Sequence, residues 1–134
     1  MMSVSASFLR LSVLFVLLGV SLGYWMGASH NFIVSPVHAH INLLGWVSMF
    51  LYGLFYRVFP DAAVGWLPKV HLALAVIGLP VMMVGLTIQL LAIPSLMAVV
   101  PVLMIVGPTM VVLGMFAFAV IVFRATGGRS AAAA

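Results

Sequence analysis

Cysteine is absent from this 134-residue chain, and acids are reduced to one, Asp61. No thiolate metal site, disulfide or cysteine-held iron–sulfur cluster can form, and no pair of carboxylates can divide acid and base roles between them. Charge of either sign is scarce: 4% of residues are Asp, Glu, Lys or Arg, against roughly a quarter in an ordinary soluble domain. The formal net charge is +4, but the five basic residues stand singly. They leave no basic patch for nucleic-acid phosphates. Any metal centre must rest on histidine.

What the chain has in abundance is apolar sequence, 66% of its residues, in unbroken runs of the roughly twenty residues that cross a bilayer core. Backbone polar groups inside lipid must be satisfied within the segment, so each run predicts a spanning helix. The reading is an all-α integral membrane protein with one domain over residues 1–126. Its four transmembrane helices cover about 8–28, 37–58, 69–92 and 97–123. Ser35-Pro36 suits a helix cap followed by a first-turn proline, and Pro94-Ser95 reads as a turn. Pro80, Pro101 and Pro108 are expected to kink or loosen their helices. Gly45, Gly53, Gly78, Gly85, Gly107 and Gly114 leave smooth faces for close packing in lipid. Residues 127–134 read as a disordered tail. The first run carries Arg10 ahead of its apolar stretch, as a cleaved signal would. It is longer than the roughly 7–15 apolar residues of a signal and lacks a clear Ala-x-Ala site, so it is expected to stay as a helix.

Arg10, Arg57, Lys69, Arg124 and Arg129 all fall on one side of this arrangement, and the other two loops hold no Lys or Arg. The positive-inside rule then predicts both termini in the cytoplasm and a multi-pass protein of the cell inner membrane. Asp61, in the loop with Arg57 and Lys69, reads as their solvated partner. Thr87 and Gln89, polar at depth in the third helix, are expected to bond a neighbouring helix rather than guide an ion, which leaves a transporter or channel little support.

His38-Ala39-His40 opens the second helix. Residues two apart differ by about 200° around the axis, so the two imidazoles point to opposite faces and do not readily chelate one ion. His38 shares its face with Asn42, Gly45, Met49, Tyr52 and Tyr56; His40 shares its own with Leu43, Leu44, Val47, Leu51 and Leu54. An apolar face with one neutral imidazole is the setting a haem iron needs. The plain alternative is an interfacial polar pair. His30, in the outer loop, reads as interfacial. His71 begins the third helix at the opposite end, about 20–25 Å from His40 along the helix rise, too far to share an iron within one subunit.

The segment VHAHINLLGWVSMFLYGLFYRVFP from Val37 resembles the tenth helix of the catalytic subunit of heme–copper oxidases, particularly the C-family cytochrome oxidases and the nitric oxide reductases. The shared features are the His-x-His pair, Leu44-Gly45-Trp46, Gly53, Tyr56 and Pro60. The stretches from His71 and from Leu113 are similar, more weakly, to the eleventh and twelfth helices, so the resemblance spans roughly the last two-thirds of the chain. It implies that His38 corresponds to the ligand of the high-spin haem and His40 to a ligand of the low-spin haem. The helices that carry the family's second low-spin ligand, its copper-binding histidines and its cross-linked tyrosine have no counterpart here. Oxygen or nitric oxide reduction by the lone chain is therefore not implied, and a second iron ligand would come from a homo-oligomer or a respiratory-complex partner.

The expected function is a small haem b membrane protein for electron transfer or for interaction with oxygen or nitric oxide, with His38 and His40 as ligands and Asn42 and Trp46 tuning the site. The alternative is a non-catalytic accessory or assembly subunit of a respiratory complex in which the same histidines hold copper transiently or merely pack.

Overall fold

The computed structural model of the chain describes residues 3–127. Among them there is no strand, and four helices are long and apolar enough to cross a membrane: Val4–Ser29, Ser35–Val58, Leu67–Leu91 and Pro94–Gly127.

Local chemistry sets the helix ends. The first helix begins at Val4 rather than near Phe8 because Ser3 caps it, its hydroxyl accepting from the Ala6 N–H at 3.2 Å. It ends at His30, whose φ of 53° is the left-handed geometry that closes many helices. Ser35, expected as the cap of the second helix, is its first residue, and its hydroxyl instead donates back to the Phe32 carbonyl at 2.7 Å. Pro36 occupies the first turn, where a missing N–H costs nothing. The third helix runs through Pro80 without interruption and ends at Ala92 in the left-handed region. Pro94–Val99 forms a 3-10 stretch that leads into Val100–Gly127. Pro101 thus falls in a first turn, and Pro108 lies within the helix. The helix reaches Gly127, which the sequence had placed in a disordered tail; the rest of that tail, 128–134, lies outside the described residues.

The second helix is not α-helical throughout. Ile41–Ser48 is a π-helix between the α-helical Ser35–His40 and Met49–Val58. Both of its ends carry a side chain on a backbone carbonyl. The Asn42 amide donates to the His38 carbonyl at 2.9 Å, the acceptor that an α ladder would give to the N–H of residue 42, and the Ser48 hydroxyl donates to the Leu43 carbonyl at 2.8 Å. Such segments recur at functional sites.

The helices pack as two antiparallel pairs, the first on the second and the third on the fourth, with sparser contact between pairs. Small residues make both seams. A β-carbon at Gly53 would meet the Leu9 side chain at 2.7 Å and one at Gly78 would meet Met110 at 2.7 Å. At Gly107 it would collide with the backbone of Met82, so here two main chains touch and no side chain can yield. Gly19 and Gly23 perform the same service for Asn42 and His38, a role the sequence had not singled out. Ser5 donates across the first seam to the Gly53 carbonyl at 2.9 Å. Thr87 departs from expectation, donating to Met83 of its own helix at 2.7 Å, and Gln89 is exposed.

The outer surface is apolar. Leu17, Ile105 and Phe116 are 61%, 68% and 67% exposed, far more contiguous hydrocarbon than a water-facing monomer carries. This surface is compatible with a bilayer as its solvent.

Candidate functional site

The two histidines of the His-Ala-His motif separate as the 200° rotation requires. His38 is half-buried and turns inward toward the first helix; its Nδ1–H donates to the Gly19 carbonyl at 2.8 Å. Since that carbonyl only accepts, the proton sits on Nδ1 and Nε2 carries the lone pair. Asn42 Nδ2 lies 3.4 Å from the same Nδ1, but with a proton there its real acceptor is the His38 carbonyl. His38 also fills the notch at Gly23, where a β-carbon would stand 2.7 Å from its Cε1.

His40 is exposed on the outer face, and its Nδ1–H donates to the Pro36 carbonyl at 2.7 Å. Its Nε2 also carries a lone pair. A metal-binding histidine is typically arranged this way, one ring nitrogen fixed by a carbonyl so that the other is oriented and more basic. The supports are the carbonyls of Gly19 and Pro36, which the sequence did not mark. Asn42 adjoins His38 as expected, whereas Trp46 is 41% exposed. Of the face expected to go with His40, Leu43, Val47, Leu51 and Leu54 are exposed, but Leu44 departs from it and packs against the core; Gly45, Met49, Tyr52 and Tyr56 on the His38 face are buried.

A porphyrin tests these two positions differently. The His38 ring lies against Gly23, and the cavities of about 420, 500 and 250 Å³ border neither histidine. A haem therefore does not fit at His38 within one chain. His40 stands instead on the exposed apolar outer face of the second helix. Among the described residues no three His, Asp or Glu side chains come together to hold a bare metal ion.

A second polar centre lies toward the opposite end of the helices, and the sequence had read its histidine as no more than a helix start. His71 is fully buried, its Nδ1 hydrogen-bonded to the Tyr56 hydroxyl at 2.9 Å. Aromatic rings enclose it: centroids of Phe8, Tyr52 and Phe118 lie 4.9, 4.6 and 5.2 Å from that of His71. Its Nε2 has no protein partner. The Cδ2 edge beside Nε2 approaches Gly114, which with Tyr52 and Ser48 lines a cavity of about 20 Å³. That is room for one water and nothing larger. The pair was findable in principle, because Tyr56 and His71 flank the same short loop of an antiparallel hairpin and so meet at one depth.

No known protein family, curated protein or solved structure matches the chain. Among the described residues the fold and site define a helical protein with four membrane-capable helices, an inward His38, an outward His40 and an enclosed His71.

Proposed function

We propose that this protein is a multi-pass b-type haem protein of the cell inner membrane, with both termini cytoplasmic, that transfers electrons. His40 would hold the haem iron, with a second copy of the chain offering its own His40 to the same group. The observation that carries this reading is the His40 imidazole itself: exposed among Leu43, Val47 and Leu51, with Nδ1 fixed on the Pro36 carbonyl and Nε2 left as donor to iron. The resemblance of the Val37–Pro60 segment to a haem-bearing helix supports the same assignment. When bound, the haem supplies a one-electron couple. The protein's part is to orient the imidazole, exclude water with aliphatic side chains and raise ligand basicity through the Pro36 carbonyl. A two-fold axis would bring the His40 residues of two copies together, the closed arrangement open to a ligand on an outer face. Electron transfer is the reading favoured here because the helices that carry the copper-binding histidines in the resembled family have no counterpart in this sequence.

The test is the haem-to-protein ratio together with the mass of the detergent-purified protein. One haem per two chains, lost in His40→Ala and kept in His38→Ala, supports the assignment. A haem-free protein from haem-replete cells sinks it and turns the same face into the docking surface of an accessory or assembly subunit, where His40 would offer one ligand to copper shared with a partner.

A further inference from the structure

Between the two helix pairs, where direct packing is sparse, a groove of about 500 Å³ runs along the first and third helices. Its walls are aliphatic, with Leu14 on one side and Leu72, Val76 and Ile77 on the other, and at one end stand Arg10 and Lys69. No acid lines it. The chain's one acid, Asp61, borders a different cavity together with Arg124. From Lys69 to Ile77 the helix rise gives the groove a length of about 12 Å along the helix axis, enough for a large part of an acyl chain.

We propose that this groove is a binding site for one anionic glycerophospholipid of the surrounding bilayer, its phosphate held by Arg10 and Lys69 and one acyl chain laid between the helix pairs. Charge complementarity selects the ligand: two cations at one end of an apolar slot match a phosphodiester with a net negative headgroup and do not select a zwitterionic lipid. Hydrocarbon in the slot would add to the contact that the aromatic cluster around His71 already makes between the two hairpins. The proposal is independent of any haem, because the groove borders neither His38 nor His40.

Native mass spectrometry of the intact protein, titrated with phosphatidylglycerol or phosphatidylcholine in a neutral detergent, tests it. The expected result is retention of one phosphatidylglycerol per chain at least tenfold more strongly than phosphatidylcholine. Arg10→Gln and Lys69→Gln should each weaken retention about fivefold, the contribution of one basic residue at a membrane surface. Ala73→Phe, which fills the slot and leaves both charges, should abolish the preference, whereas Arg124→Gln, at the other cavity, should leave it intact. Equal retention of the two lipids by wild type overturns the proposal, as does a loss in Arg124→Gln as large as in Arg10→Gln, which would mean diffuse attraction only. Should Ala73→Phe fail to fold, the comparison of Lys69→Gln with Arg124→Gln decides alone.

Discussion

Tyr56 Oη and His71 Nδ1 lie 2.9 Å apart across the hairpin of the second and third helices, with both side chains buried. A buried imidazole depends on such a partner, since an unmade hydrogen bond there costs the full desolvation of the orphaned group.

Tyr56→Phe should therefore destabilise the protein by about 1–3 kcal/mol in thermal unfolding in detergent, because it leaves both His71 nitrogens without a protein partner. The double variant Tyr56→Phe with His71→Leu should cost less than the sum of the single changes, since it removes donor and acceptor together. Strict additivity would show that the pair is not coupled.

Gly107 and Gly114 lie on the same seam, yet they should respond differently to alanine. A β-carbon at Gly107 meets the Met82 main chain, so Gly107→Ala must push two helices apart and should cost about 1–3 kcal/mol. At Gly114 the nearest atom is 3.5 Å away, an ordinary contact, and Gly114→Ala should stay within about 0.5 kcal/mol of wild type. Unfolding of the two variants side by side checks the seam.

The absence of cysteine makes orientation directly measurable. Ser95→Cys should react with a membrane-impermeant maleimide on intact spheroplasts, and Val64→Cys, exposed in the loop between Arg57 and Lys69, only after lysis. The reverse pattern would place the basic loops outside and overturn the proposed topology.

Gly23→Ala should dislodge the His38 ring, whose Cε1 would lie 2.7 Å from the new β-carbon. Because His40 is the proposed ligand, haem content should remain within about twofold of wild type while stability falls by about 1–3 kcal/mol. Complete haem loss in a folded Gly23→Ala protein would move the ligand to His38.

The four helices could be read from the sequence because their signal is composition and length, which the bilayer imposes on any spanning segment. The opposite faces of His38 and His40 followed from helix geometry alone, and the sorting of Gly45, Met49, Tyr52 and Tyr56 to the inside matches it. What was not legible depends on partners from elsewhere in the chain. The carbonyls of Gly19 and Pro36 that hold the two imidazoles carry no side-chain signature. The π segment arises where Asn42 takes a carbonyl from the ladder, and Asn has many other uses in a helix. His71 looked like a helix-end residue until Phe8 of the first helix and Phe118 of the fourth closed over it.

The most direct test of the central claim is the reduced-minus-oxidised absorption spectrum of the detergent-purified protein from haem-replete cells, recorded beside His38→Ala and His40→Ala. The account predicts a b-type spectrum in wild type and in His38→Ala, and its loss in a folded His40→Ala. A colourless wild type, or a spectrum unchanged by His40→Ala, would contradict it.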